Sequence, residues 1–357
     1  MIPRTMKAVL LRNHGGYEQL DFRDDVPVPV PAEREVLVQI GAAGVNNTDI
    51  NTRIGWYSRT VTDATETAAV HAGPRADDGG WTGASFVFPR IQGADACGRI
   101  VAVGADADAT RIGERVLIDP VIRPPDGAPS QVEYFGADRD GAFAEFATVP
   151  CANAHRITSP LSDVELASFP CSGSAAENML ARAAVAAGET VLVTGASGGV
   201  GCAAVQLARR RGARIVALAG LAKAAVIESL GAARVLARDA DLIAELGRDS
   251  VDVVVDVVGG RQFPALLEVL RRGGRYAVAG AIAGPLVELD LRTLYLKDLR
   301  LLGCTVTAPE IFANLVCRIE RGEIRPLVNA TYPLGDIAAA QAAFLKKAHS
   351  GKILLIP

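Results

Sequence analysis

Two different hydrophobic patterns follow one another along this chain of 357 residues. Up to about residue 155, short segments of alternating apolar and polar positions are separated by glycines and prolines, as at Val36, Val38 and Ile40. Such spacing is typical of a compact, largely antiparallel, barrel-like domain. The strands that it predicts are 6–11, 35–40, 99–103, 115–118 and 142–149.

After residue 160, short apolar strands alternate with amphipathic helices. This alternation predicts an α/β domain with a doubly wound parallel sheet. The predicted strands are 191–194, 214–218, 251–255 and 275–279, with helices from about 199 and over 223–230 and 264–271. A final helix over 336–347 and strand over 352–356 either extend this sheet or return to the first domain, since periodicity alone leaves both open.

The segment 191–201 carries the most specific local signal. An apolar strand runs into the glycine cluster GASGGVG, and an amphipathic helix follows. Glycines allow a tight turn and a close backbone approach to a pyrophosphate, and the helix N-terminus offers free N–H groups to the anion. The cofactor-binding candidates in this turn are Ala196, Ser197, Gly198, Gly199, Val200 and Gly201. Gly280 and Ala281 join them, because they follow another predicted strand at the edge where such sheets bind ligands.

Residues 57–90 form the one long stretch without clear periodicity, which is typical of a functional loop or of a mobile segment. Trp56, Tyr57 and Trp81 flank or lie in it. An aromatic wall over a flat substrate and ordinary packing both account for them.

Composition excludes several classes of protein. The net charge is −3 and no long basic block occurs, which argues against nucleic-acid or anionic membrane partners. The six cysteines are scattered without a C-x-x-C pair, so reduced thiols in a cytoplasmic protein are the simplest interpretation. No apolar run reaches the ~20 residues of a membrane span. We therefore expect a soluble, cytoplasmic protein.

A series of short motifs runs through nearly the whole chain in a fixed order. They are MKAVL at 6–10, GVNNTD at 44–49, GADACG at 93–98, GERV at 113–116, GASGGVG at 195–201, DVVVDVVG at 252–259 and HSGKI at 349–353. Together they resemble the medium-chain dehydrogenase/reductase superfamily. The resemblance implies a GroES-like catalytic domain over 1–155, completed by 325–357, around a Rossmann dinucleotide-binding domain over 156–324. It thereby favours a return of the last segment to the first domain.

The resemblance also bears on zinc. Zinc alcohol dehydrogenases of this superfamily place Cys, His and Cys ligands where this chain has Asn46, Ala94 and Cys171. A catalytic zinc needs three protein ligands. Asp95, next to the vacant His position, could supply a carboxylate, but together with the Cys171 thiolate it would give only two ligands. We therefore predict no metal and a likeness to the zinc-independent, quinone oxidoreductase-like branch. In that branch Asn46 would lie beside the nicotinamide and substrate; a turn-forming Asn46 is the alternative. Thr48 matches a hydroxyl that relays protons in the zinc alcohol dehydrogenases, and a helix-capping Thr48 is the alternative.

The choice of nicotinamide cofactor depends on charge near the second strand of the α/β domain. NAD-specific relatives carry an acidic residue at the end of that strand, and GLAK at 220–223 contains none. Lys223 aligns with a lysine that contacts the 2′-phosphate in quinone oxidoreductase relatives, and Arg238 could add a second cation. NADPH is the predicted cofactor, mainly because the acid is missing; solvated helix or loop positions are the alternative for both cations.

The predicted activity is an NADPH-dependent transfer of hydride, without metal, to a quinone or an α,β-unsaturated carbonyl. A zinc-type alcohol dehydrogenase with unrecognised ligands and a non-catalytic NADPH-binding protein are the alternatives. The expected partners are a small-molecule substrate and further copies of the chain, as a homodimer or homotetramer. Residues 299–306 are the candidate edge strand for that assembly.

Overall fold

The computed structural model describes residues 1–73, 86–124 and 131–357, and Trp81 lies outside them. The chain divides into two compact units. Unit 1 comprises Met1–Val61, Thr67–Cys171 and Phe312–Pro357, and unit 2 comprises Thr62–Glu66 and Ser172–Ile311. Among the described helices, none combines the length and the apolar character needed to cross a bilayer.

The strands in chain order are β1 Thr5–Leu11, β2 Leu20–Pro27, β3 Glu35–Gly44, β4 Arg90–Ile91, β5 Asp95–Val103, β6 Arg115–Ile118, β7 Val121–Ile122, β8 Glu133–Tyr134, β9 Phe146–Pro150, β10 Ala154–Arg156, β11 Thr190–Val193, β12 Arg214–Ala219, β13 Arg234–Ala237, β14 Val251–Asp256, β15 Leu270–Val278, β16 Arg300–Gly303, β17 Val328–Pro333 and β18 Lys352–Ile356. The α-helices are α1 Asn47–Arg53, α2 Thr65–Val70, α3 Asp163–Leu166, α4 Pro170–Arg182, α5 Gly199–Arg210, α6 Ala224–Leu230, α7 Leu242–Leu246, α8 Phe263–Val269, α9 Leu291–Leu296, α10 Pro309–Glu320 and α11 Ile337–Leu345.

Unit 1 is built on a mainly antiparallel sheet with the order β10-β6-β5-β3-β18-β17, and β9 also pairs with β3. Its alternating strands turn their apolar side chains into one core, as Val36, Val38 and Ile40 of β3 do. β18 pairs antiparallel with β3, so the end of the chain returns to this unit. The last segment of the chain therefore pairs with the first domain, as the resemblance implied.

Unit 2 is built on a parallel sheet with the order β13-β12-β11-β14-β15-β16. Counted within the unit this order is 3-2-1-4-5-6, the arrangement of a Rossmann fold. Its strands are continuous apolar runs such as Val253–Val255 because helices cover both faces of a parallel sheet. The predicted fold class, a GroES-like barrel domain with a Rossmann domain, is confirmed by this architecture together with the family comparisons given below.

Several elements differ from their predicted bounds, and two of the differences have a clear physical reason. The helix predicted over 264–271 ends at Val269, because Leu270 already pairs with Val251 in the parallel ladder of β14 and β15. Within 57–90, α2 is a six-residue helix, which is too short to produce a recognisable periodicity.

The unit boundaries also differ from those predicted at 155/156 and 324/325. The linking segments on both sides pack onto unit 1: Arg115 donates to the carbonyl oxygens of Ser159 and Leu161, and the N–H of Thr158 donates to Glu320. Unit 1 therefore extends to Cys171 and resumes at Phe312.

Candidate functional site

In unit 2, residues 195–201 form a glycine corner between β11 and α5. Gly195 has a φ of +56°, Gly198 is the N-cap of α5, and the N–H of Gly198 donates to the carbonyl of Gly195 at 3.0 Å. A Cβ on Gly201 would lie 2.3 Å from the Gly195 oxygen and 2.5 Å from the Ala196 Cα, so only glycine fits there. This close packing of helix against strand leaves a cradle beside the first turn of a 12-residue helix, which suits a pyrophosphate.

The residues of the glycine corner are not equivalent. The N–H of Ala196 donates to the carbonyl of Leu218, its carbonyl accepts from the Cys202 thiol, and its side chain is buried. The backbone N–H and carbonyl of Ala196 are thus already hydrogen-bonded to other residues of unit 2. In contrast, Ser197, Gly198, Gly199 and Val200 are all partly exposed.

The two predicted cations, Lys223 and Arg238, both follow the ends of neighbouring strands, β12 and β13. These strands are parallel neighbours with Ala219 opposite Ala237, so Gly220 and Arg238 follow them at the same edge. A guanidinium nitrogen of Arg238 lies 3.1 Å from the position of a Cβ on Gly220. Partial burial lowers the pKa of Lys223, and the positive charge of Arg238 lowers it further. The two cations are therefore close enough to interact electrostatically.

Gly280 and Ala281 lie at the same edge of the sheet, beyond β15. A Cβ on Gly280 would lie 3.0 Å from the carbonyl oxygen of Val257, and one on Gly259 would lie 3.2 Å from Ala281. They therefore border the segment that follows β14.

Asp256 is a buried residue of unit 2 that sequence reasoning missed. Its carboxylate accepts from the hydroxyls of Thr194 and Tyr276 and from the N–H groups of Val258 and Gly259. It thereby joins the ends of β11, β14 and β15. The available signal was an acid directly after an apolar strand, which must find partners because an unpaired buried charge is costly.

In unit 1, Asn46, Asp95, Lys352 and Cys171 form a buried polar cluster. Strand pairing brings the first three together, because Gly44 of β3 lies opposite Asp95 of β5 and opposite Leu354 of β18. The Lys352 ammonium lies 2.6 Å from Asp95 Oδ2 and 2.6 Å from Asn46 Oδ1. Asn46 Nδ2 donates to Asp95 Oδ2 at 2.8 Å, and the N–H of Cys171 donates to Asp95 Oδ1 at 2.6 Å.

These residues do not fit a catalytic zinc. The oxygens of Asp95 and Asn46 already contact an ammonium ion, and Ala94 packs among Val121, Tyr134 and Ala137. Burial, followed by the charge of Asp95, raises the pKa of Cys171 to about 12, so its sulfur is a thiol rather than the thiolate that zinc prefers. The part of the chain that the structure describes contains no group of three His, Cys, Asp or Glu side chains placed to hold a metal.

Asn46 and Thr48 occupy the first turn of α1. Asn46 is the N-cap residue, and its own N–H donates to Asp49 Oδ2 at 2.7 Å. Thr48 is inside the helix, so it is not the cap, and its hydroxyl shares a hydrogen bond with Tyr57, which also bonds with Asn51. Burial raises the pKa of Tyr57, which therefore keeps its proton. Tyr57 thus extends the polar surface of α1, in addition to packing against Trp56.

Replacing Asp49 by asparagine is expected to flatten the pH dependence of stability. Burial raises the pKa of Asp49 to about 7 in the folded chain, whereas an unfolded chain has the ordinary value of about 4. The stability from this group is therefore complete below pH ~4 and is lost as the pH rises through ~7. Over that window the free energy of unfolding should fall in the wild type, relative to Asp49→Asn, by on the order of a few kcal/mol.

The measurement is thermal unfolding of both proteins between pH 4 and 8. Asp24→Asn, which removes an exposed carboxylate, should keep the wild-type profile. A constant offset between wild type and Asp49→Asn across the range would contradict the expectation.

Comparison with known proteins agrees with this architecture. The model of the alcohol dehydrogenase GroES-like domain matches residues 32–159, and that of the zinc-binding dehydrogenase matches residues 199–321, which leaves out Asn46, Ala94 and Cys171. Human quinone oxidoreductase is 28% identical over 367 residues, with 99% of this chain and 98% of the relative covered. Acryloyl-coenzyme A reductase of Metallosphaera sedula is 29% identical over 364 residues, with 98% and 99% covered.

The crystal structure of a putative alcohol dehydrogenase from Sinorhizobium meliloti is 46% identical, with a TM-score of 0.90 and coverage of 100% of this chain and 98% of that one. With these relatives, the two units define an oxidoreductase enzyme that acts on small molecules. The chain belongs to the medium-chain dehydrogenase/reductase superfamily and is quinone oxidoreductase-like, as the motifs predicted.

Proposed function

We propose that this protein is a zinc-independent, NADPH-dependent reductase of quinones or α,β-unsaturated carbonyls. The observation that carries the proposal is the buried contact of the Lys352 ammonium with both Asn46 and Asp95. A donor set that is bonded to an ammonium does not suit a Lewis-acid metal that would polarise an unactivated carbonyl or alcohol. Conjugated substrates fit such a site, because they are electron-poor before they bind.

The cofactor half of the proposal rests on unit 2. Ser197, Gly198, Gly199 and Val200 would hold the pyrophosphate through the first turn of α5. Lys223 and Arg238, which lie together beyond β12 and β13, would bind the 2′-phosphate through charge-assisted hydrogen bonds. Gly280 and Ala281 would border the nucleotide at the same edge. Bound NADPH supplies the hydride.

The remaining chemistry falls to unit 1. Asn46 would orient the substrate or the nicotinamide, and most of the rate would come from proximity and orientation. Reduction of an enone also needs a proton at the α-carbon. The Thr48 hydroxyl, which is hydrogen-bonded to Tyr57, would deliver it or relay it from solvent.

The test is a panel assay of purified protein. NADPH and NADH are each offered with quinones, enones, simple ketones and aldehydes, and zinc is quantified in the same sample. We expect NADPH oxidation with the conjugated substrates and no stoichiometric zinc. Alcohol dehydrogenase activity together with one zinc per chain would replace the proposal with the zinc-type alternative. Tight NADPH binding without turnover would leave a non-catalytic nucleotide-binding protein.

We also propose that the chain assembles as a homodimer or homotetramer through the β16 edge of unit 2. β16 ends the parallel sheet, and exposed apolar side chains cluster in sequence before and in it. They are Leu286, Val287, Leu291, Tyr295, Leu296 and Leu301. An open strand edge beside exposed apolar side chains favours association with another chain.

Replacing Leu291 and Tyr295 together by glutamate should therefore convert the assembly to monomers in analytical ultracentrifugation. Val226→Glu, an exposed apolar residue on α6, serves as the control and should leave the mass unchanged. An unchanged mass for the double variant would place the interface elsewhere.

A further inference from the structure

Lys352 is unusual among the lysines because its ammonium is buried in the core of unit 1. The side chain is 4% exposed, and its contacts are the Asp95 carboxylate, the Asn46 amide oxygen and the carbonyl of Val45 at 3.1 Å. A buried ammonium is costly unless a counter-ion and hydrogen bonds surround it, and here they do.

This contact fixes the orientation of Asn46. The amide oxygen faces the Lys352 ammonium, and the amide nitrogen faces the Asp95 carboxylate. Turning the amide over would place its N–H groups against the ammonium and its oxygen against the carboxylate, and both contacts would be repulsive. A second hydrogen of Nδ2 points to the carbonyl of Gly44 at 3.3 Å. The N-cap of α1, and with it the start of the helix that carries Thr48, is therefore held by Lys352 and Asp95.

The same ion pair extends to α4. Asp95 uses Oδ2 for Lys352 and Asn46 and Oδ1 for the N–H of Cys171, whose Sγ lies 3.2 Å from the Tyr134 hydroxyl. One ammonium thus joins the starts of β5, β18 and α1 to the first turn of α4.

We propose that Lys352 is a positioning residue for the reaction, whose buried ammonium is the resident cation of the polar cluster and locks Asn46 and Asp95 in place without a metal. The inference rests on the proposed function for its catalytic part. The exclusion of metal depends only on the cluster itself. Lys352 touches neither substrate nor cofactor in this proposal and acts through Asn46.

The experiment compares Lys352→Met, Asp95→Asn and the double variant with the wild type. Each single change leaves one buried charge unpaired, and we expect the melting temperature to fall by on the order of 10 °C. The double variant has no unpaired charge and should recover most of that loss. Its asparagine at 95 would set one amide against another, so Asn46 would lose its fixed orientation.

The catalytic readout separates positioning from stability. We expect kcat with a conjugated substrate to fall roughly a hundredfold in Lys352→Met and to stay low in the double variant, with the NADPH dissociation constant unchanged within about twofold. Lys346→Met, a change at an exposed lysine that precedes Lys352 in the chain, should match the wild type throughout. Recovery of both melting temperature and kcat in the double variant would show a purely structural role and overturn the proposal, as would an unaffected Lys352→Met.

A third measurement does not depend on activity. Wild-type protein is dialysed against zinc, desalted and analysed for metal, and we expect far less than one zinc per chain. One tightly held zinc whose loss follows Asp95→Asn would overturn the proposal, because the metal would then have displaced Lys352. If the wild type turns over no substrate of the panel, the proposed function fails, while the metal content and the order of melting temperatures still decide whether Lys352 is the resident cation.

Discussion

Replacing Gly201 by alanine is expected to abolish NADPH binding and to destabilise unit 2, whereas Gly198→Ala should leave the fold intact. The added Cβ at Gly201 would lie 2.3 Å from a backbone oxygen, which cannot yield without moving β11 or α5. Overpacking of this kind typically lowers the free energy of unfolding by about 1–3 kcal/mol. At Gly198 the nearest atom would be 3.5 Å away, an ordinary contact.

The pair therefore separates folding from nucleotide binding. Thermal unfolding should show a lowered melting temperature for Gly201→Ala and a nearly unchanged one for Gly198→Ala. Titration with NADPH should show weaker binding for Gly198→Ala as well, by about tenfold, because its methyl group would project into the cradle that the pyrophosphate needs. Full NADPH affinity in Gly198→Ala would mean that the phosphates bind elsewhere.

Replacing Lys223 by alanine should weaken NADPH binding by roughly ten- to a hundredfold and leave NADH binding nearly unchanged. A hydrogen bond to a charged group contributes ~1.5–3 kcal/mol, and each ~1.4 kcal/mol is a factor of ten in affinity. Arg238→Ala should act in the same direction, and the double variant should prefer NADH. The effect depends on the 2′-phosphate, which NADH lacks.

Arg214→Ala is the matched control, since Arg214 is an exposed cation at the opposite end of the same strand, β12. Its affinity for both nucleotides should equal that of the wild type. Equal losses of NADPH and NADH affinity in Lys223→Ala would show that the lysine binds the shared part of the nucleotide, and the preference for NADPH would then lack its basis.

Much of the nucleotide-binding unit could be predicted because its signals are local. The strand, glycine corner and helix follow one another within residues 190–210, and each is specified by neighbours in the sequence. The proximity of Lys223 and Arg238 was a weaker prediction, since it depends on two parallel strands ending together. Asp256 was missed because two of its partners, Thr194 and Tyr276, belong to other parts of the sheet, just beyond β11 and on β15.

The polar cluster was harder to predict. The sequence drew attention to Asn46, Asp95 and Cys171 through the missing zinc ligands, but Lys352 entered only as the first residue of a closing strand and as part of the HSGKI motif, with no role at the site. A lysine at the start of the apolar run KILLI was the available signal. Spacing could not show where that lysine points.

The sequence by itself determined the fold class, the family and the glycine corner, because each depends on short-range patterns of apolar residues and glycines. Only the tertiary structure decided that the positive charge of the polar cluster comes from a side chain. The partners of Lys352 are 257 and 306 residues away along the chain, and β3 brings them together by pairing with β5 and β18. Burial then makes the ion pair obligatory, since neither charge has water to replace its partner.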